Sequence, residues 1–264
     1  MFLVNNPHDV LQVDVYLESN RVGRTFAHVP GLPGCIVRGE TAEEAAAAIS
    51  DAIKQHLFWL NAHGGRDFQL FRNVHMRVAG ALAGGAATGS GSRVALLPTD
   101  LIPIEANELE EHLRRLKYFR TDLLEIISRI PVDLMTFRPS RRQRTIREIL
   151  QHIAGAEQAY LARLFKLSRF QPQETPVQRL RMVREAAYTL LSKCDRTRRN
   201  RIVHKAGEPW TLRKVLRRFL EHEREHILEI EWRLHLKGLQ FAPSWMIRTA
   251  RNRELKLAKV FQFR

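Results

Sequence analysis

Leu11, Val13, Val15 and Leu17 alternate with Gln12, Asp14 and Tyr16, and this period of two predicts a half-buried strand over 11–17. Two further short strands, RTFAHV and CIVRG, are separated by the turn-rich PGLPG. The period then lengthens to that of a helix in GETAEEAAAAISDAIKQHLFWLNAHGG. Thr41 and Glu44 form a capping box at its start, each side chain satisfying an orphan backbone N–H, and Gly64 with Gly65 ends it. FQLFRNVHMRV predicts a last strand. Residues 1–79 thus read as a small α+β domain, an antiparallel sheet with one helix.

The pattern then breaks. Residues 80–92, GALAGGAATGSGS, hold no large apolar side chain except Leu82, and 80–104 is predicted to be a flexible linker. Four amphipathic helices follow, at about 106–130, 146–167, 176–193 and 212–236. Pro131 stops the first, and Thr145 with Glu148 makes a second capping box. Pro176 lies in the first turn of the third helix, and Thr211 caps the fourth. Four helices of this length, each with one apolar stripe, predict an all-α bundle over 105–240. Residues 241–264 form a basic C-terminal segment.

Charge divides the chain in the same place. Net charge is +15, yet residues 1–79 carry eight acidic against seven basic side chains, so the whole excess lies beyond them. The two cysteines, Cys35 and Cys194, are far apart and form no C-x-x-C, which points away from a disulfide framework and towards a reducing cytoplasm. The opening MFLVNNPHDV lacks the basic start and apolar run of a signal peptide, and no stretch reaches the ~20 apolar residues of a membrane helix.

The chemistry concentrates in LEHEREHI, where His222-Glu223-Arg224-Glu225-His226 spells H-E-x-x-H. Histidines four apart rise from one helix face and suit adjacent positions of a tetrahedral metal, but two ligands do not complete a site. A zinc protease needs a third ligand downstream. The metzincin extension would place Gly at 229 and His at 232, where this chain has Glu229 and Trp232. His152, about seven residues into the second helix, lies about 10 Å deep and can meet the pair at one level inside a bundle. A His₃ set with an open fourth position is the arrangement of catalytic zinc. Against it stands the reading of three hydrogen-bonded histidines at the core edge beside a solvated charged face. Glu223 falls near the centre of the apolar stripe, where an unpaired carboxylate is costly, so it is either a general base or the ion-pair partner of an inward arginine.

FRPSRRQRTIREILQHIAGAEQAYLARL together with EPWTLRKVLRRFLEHEREHILEI resembles the DinB/YfiT-like family of four-helix metalloproteins. The resemblance covers about 105–236 and implies His152, His222 and His226 as ligands of a divalent ion, Zn²⁺ or Ni²⁺. It implies a thiol S-transferase acting on small molecules with a low-molecular-weight thiol as co-substrate, with metal-dependent hydrolysis as the alternative. It also implies an up-down-down-up topology, for which SRFQPQET is a short crossing.

HVPGLPGCIVRGETAEEAAAAISDAI resembles the HicB-like antitoxin domain over about 11–78. That implies a binding or homodimerising module, with a small toxin as partner. An interaction protein with the bundle as scaffold is therefore the competing class. Basic clusters at 138–147, 196–205 and 213–218 would suit nucleic acid, but no aromatic residues interleave with them as in stacking platforms, and solvated bundle ends are the favoured reading.

Overall fold

The computed structural model describes residues 11–64, 74–83, 95–167, 175–205 and 207–239, which form two compact units divided between Ala95 and Leu96. The first unit is a four-stranded sheet in the order β3-β2-β1-β4, with β1 Leu11–Ser19, β2 Thr25–His28, β3 Ile36–Gly39 and β4 Val74–Ala83. Helix α1, Ala42–Ala62, lies between β3 and β4 in the chain. Leu11, Val13, Val15 and Leu17 share a core with Ala45, Ile49, Ile53 and Leu57 of α1, as the two periodicities require. Half of the predicted capping box forms: Thr41 Oγ1 accepts from the Glu44 N–H at 3.2 Å, but the Glu44 carboxylate accepts from the Glu40 N–H at 2.9 Å, one residue before the cap. Gly39 is required where β3 turns into α1, since a Cβ there would sit 2.5 Å from the Ala45 nitrogen.

The sheet is mixed, which corrects the antiparallel expectation. β1–β2 and β2–β3 are antiparallel, but β4 runs parallel to β1 in the register Leu11↔Val74 and Val13↔Met76. The helix after the third strand carries the chain back along the sheet, so the fourth strand starts from the same end as the first. β4 also extends through Ala83, taking residues 80–83 of the expected linker into the sheet; 65–73 and 84–94 lie outside the described residues.

The second unit opens on a 3₁₀ turn, Pro98–Leu101, which also belonged to the expected linker. Leu97, Asp100 and Ile104 are buried there. Arg217 Nε and Nη2 donate to the two Asp100 carboxylate oxygens at 2.9 and 2.7 Å, and the Thr211 hydroxyl donates to the Asp100 carbonyl at 2.7 Å. The segment is thereby latched to the start of the last helix.

The bundle helices are α2 Ala106–Ser128, α3 Ile146–Leu164, α4 Pro176–Leu191 and α6 Leu212–His235, all where the hydrophobic stripes place them. A short helix α5, Arg196–Arg199, and a hairpin of β5 Val203–Lys205 with β6 Glu208–Trp210 precede α6. α3 packs on α4 and on α6, and α2 packs on α6. Residues 168–174, which hold most of the α3–α4 crossing, and 240–264, the basic segment, lie outside the described residues. No helix among the described residues is long and apolar enough to cross a membrane.

The 213–218 cluster is not a solvated end. Lys214, Arg217 and Arg218 are buried. Arg217 bonds Asp100 and Glu221, and Arg218 bonds Glu221 and the Tyr160 hydroxyl. Lys214 sits 4.3 Å from the Trp210 ring centroid and donates to the Pro209 carbonyl. The apolar stripe of α6 is only part of its buried surface, because its first half is enclosed on all sides.

Candidate metal centre

His152 rises from α3, two turns after the Thr145 cap, and His222 and His226 rise from one face of α6. The three side chains converge. His222 Nε2 lies 3.1 Å from His152 Nε2 and 3.2 Å from His226 Nε2, and all three ligand atoms fall within 4.8 Å of one another. His222 and His226 are buried and His152 is half-buried, so the approach from solvent is on the His152 side. Tyr160 presents its ring edge-on to His222 at 6.0 Å between centroids.

The protonation states follow from the surroundings. His226 Nδ1 lies 2.7 Å from Glu229 Oε2. Burial would raise Glu229, but the hydrogen bond from His226 and the charges of His226 and Arg233 outweigh it and bring Glu229 down to about 2. An ionised carboxylate only accepts, so His226 Nδ1 carries a proton, and in the neutral ring this leaves the Nε2 lone pair on the side of the other two rings. Burial, with His226 and Arg144 nearby, lowers His152 to about 4. Burial and the same kind of neighbours hold His222 well below the ordinary imidazole range. Both are therefore neutral at pH 7, as metal ligands must be.

This donor set fits a divalent ion. Tetrahedral Zn–N bonds of about 2.0–2.1 Å put ligand nitrogens roughly 3.3 Å apart, close to the two Nε2 separations found. Arg233 Nη2 donates to Glu229 Oε1 at 2.5 Å, and its Nη1 donates to the Arg144 carbonyl, so the ligand His226 is held by a carboxylate that is itself held.

Residues 115–230 match the DinB superfamily. The match lies wholly within the helical unit. This superfamily is metal-associated, and the matched residues include the three-histidine group. A crystal structure of a DinB-like protein from Bacillus subtilis is similar at 15% identity and a TM-score of 0.44, covering 50% of this chain and 96% of its own. No curated protein matches the chain.

Glu223 takes the ion-pair alternative rather than that of a base. Its Oε1 accepts from Arg120 Nε at 2.6 Å and its Oε2 from Arg184 Nη2 at 2.5 Å. Glu157 closes the ring, accepting from Arg120 Nη2 at 2.8 Å and Arg184 Nε at 2.5 Å. The remaining guanidinium nitrogens donate to backbone, Arg120 to Leu180 and Arg184 to Leu116. Each of α2, α3, α4 and α6 gives one member to this buried quartet. Burial pushes Glu223 up, but Arg120 and Arg184 overcome it and hold the carboxyl below its usual range. Buried and with each oxygen bonded to a guanidinium, Glu223 is committed to the ion pairs and not presented as a base.

Sequence reasoning did not find Arg120, Glu157, Arg184, Glu229 or Arg233. The available signal was an acidic residue in an apolar stripe, which demanded an inward arginine without saying which. Glu229, three residues after His226 on the same face, was visible as a second-layer carboxylate.

Proposed function

We propose that the helical unit is a divalent-metal-dependent thiol S-transferase acting on small electrophilic molecules. The observation that supports it is the convergence of three imidazole nitrogens, open on the His152 side and backed by Glu229. His152, His222 and His226 would hold the ion, with Zn²⁺ and Ni²⁺ both suited to imidazole. When bound, such an ion stabilises a thiolate or hydroxide near neutral pH. The protein's part is to keep the three Nε2 lone pairs free and aligned and to exclude water from the buried side. In the reaction, the thiol sulfur attacks the electrophilic carbon, a C–S bond forms as the leaving group departs with its electron pair, and the thiol proton passes to solvent.

The first unit, in the same reading, is a HicB-like module that dimerises or binds a small toxin. Its strand-strand-strand-helix-strand order and lack of any metal-ligating group among the described residues support a binding role over a catalytic one. The full chain in solution should then be a dimer by light scattering, and a monomer would count against this part.

The test of the enzyme is metal analysis with turnover. About one ion per chain is expected, lost in His152→Ala, His222→Ala and His226→Ala alike. An electrophilic reporter should be consumed only with a low-molecular-weight thiol and not after chelation. Metal-dependent turnover without thiol would make it a hydrolase. Full metal retention in His152→Ala would remove α3 from the site.

A further inference from the structure

The three basic clusters differ in how their charge is answered. In 213–218 the buried Arg217 and Arg218 bond Glu221, and Arg217 also bonds Asp100. In 138–147 Arg138 pairs with Glu148 at 2.6 Å. The third cluster is different. Six of the thirteen residues 193–205 are Lys or Arg, against one acid, Asp195. The Asp195 carboxylate caps the short helix α5, accepting from the Arg198 N–H at 2.8 Å. Lys193, Arg196, Arg198, Arg201 and Lys205 are all exposed, and none forms an ion pair with a described residue.

Local structure holds these charges together. The half-buried Arg199 donates through Nη1 to the Cys194 carbonyl at 3.3 Å, which ties α5 to the segment before it. β5 pairs with β6 directly afterwards, and Lys205 Nζ donates to the Ala162 carbonyl at 2.6 Å, fixing the hairpin to the end of α3. Like charges held this close repel one another, and the described residues offer no carboxylate to offset them.

The other side chains of the segment select the partner. Binding to a membrane surface needs an apolar face beside the basic one, but α5 is RTRR and Ile202 is the one large apolar residue exposed here. A protein partner would likewise need an apolar centre to its contact. Single-stranded nucleic acid stacks on aromatic side chains, and 193–205 holds no Phe, Tyr or Trp. Duplex DNA needs none of these. It presents one negative charge per about 1.7 Å of its axis, and arginine forks bind phosphate oxygens in pairs.

We infer that the exposed face of 193–205 is a docking surface for duplex DNA, held through phosphates without reading base sequence. It uses no residue of the metal centre and stands independently of the metal reading.

The experiment follows the full chain binding a short labelled duplex by fluorescence anisotropy, from about 0.05 to 0.2 M salt. Arg196→Gln, Arg198→Gln and Arg201→Gln combined should weaken binding at least about tenfold at 0.1 M salt. They should also lower the slope of log affinity against log salt by about 3, close to one for each lost phosphate contact. Arg141→Gln, Arg142→Gln and Arg147→Gln combined remove the same charge from another exposed stretch and should leave that slope unchanged. All six side chains are exposed, so both proteins should melt with the wild type. In the unaltered protein, bound duplex should protect Lys193 from amine acylation and leave the exposed Lys117 on α2 reactive. The inference is overturned if the wild type does not bind duplex at the lowest salt, if the first combined variant binds as the wild type does, or if the second loses as much. Equal reactivity of Lys193 with and without bound duplex overturns it as well. So does tighter binding of a single strand, or of anionic lipid vesicles, than of duplex.

Discussion

Neighbouring residues on α6 enter two different buried polar clusters. His222 turns towards His152 on α3, and Glu223 turns towards Arg120 on α2 and Arg184 on α4. In the second cluster two carboxylates meet two guanidiniums, and the nitrogens left over reach backbone carbonyls. Its demands are met inside the protein. In the first, three Nε2 atoms have only one another as polar neighbours among the described residues, although His226 is already committed through Nδ1 to Glu229. Hydrogen bonds among three Nε2 atoms can satisfy them only in part, and a cation would meet all three at once. Burial and charge are common to both clusters. What separates a structural device from a site is whether the donors and acceptors balance.

The sharpest way to break this contrast is to remove one member of the quartet. Glu223→Ala leaves two buried guanidiniums short of a partner and should cost about 3–5 kcal/mol in urea unfolding. Replacing all four together by apolar residues of similar size should be neutral or stabilising by about 1–4 kcal/mol. In both proteins the folded fraction should still bind one metal ion per chain. If Glu223→Gln, the milder change, folds but loses the metal, the two clusters are not separate and Glu223 returns as a site residue.

A smaller effect distinguishes a lone satisfied histidine from the convergent three. His112 on α2 is buried and its Nδ1 lies 2.7 Å from the Glu108 carbonyl. Burial, only partly offset by that carbonyl, lowers it to about 4. The unfolded chain takes up this proton near pH 6.5, and the native protein only near pH 4. The stability that His112 contributes is therefore complete above about pH 6.5 and is lost as pH falls towards 4, at no more than about 1.4 kcal/mol per pH unit. His112→Gln should flatten that part of the stability profile without changing metal affinity. An unchanged acid slope would show that His112 is not held neutral.

How much of this was readable beforehand follows the range of the interactions. The helices announce themselves through local signals: Thr145 with Glu148, Pro176, Thr211 and the repeat of apolar positions all act within one or two turns. The three histidines were readable because each lies on an inward face and their depths along two helices could be matched by rise per residue. The quartet was not, because Arg120, Glu157, Arg184 and Glu223 are 27 to 103 residues apart in their pairings, and inward arginines look the same in sequence as solvated ones. The 213–218 cluster misled for the same reason: Arg217 is neutralised by Asp100, 117 residues earlier, in a segment whose composition reads as linker. The parallel β4 is a further instance, since strand direction is set by the route of the chain and not by the strand's own residues.

The last and smallest change tests the seam between the two kinds of cluster. Glu229 serves both: it satisfies the buried Arg233 and it fixes the tautomer of His226. Glu229→Gln keeps the shape and removes the charge. Arg233 then loses a charged partner while keeping the Arg144 carbonyl, and the apo protein should lose about 1–2 kcal/mol, as for a hydrogen bond to a charged group. Metal affinity compares native apo with native holo protein, so this loss cancels from it. What remains is the weaker hold on His226 Nδ1, and loss of such a carboxylate behind a ligand typically lowers affinity 10- to 100-fold. Competition with a chromophoric chelator measures that factor, and urea unfolding of the apo protein measures the other. A variant that is destabilised yet binds metal as tightly as the wild type would show that Glu229 acts for Arg233 alone. The histidine cluster would then lack the outer layer expected of a metal centre and would stand closer to the quartet than its geometry indicates.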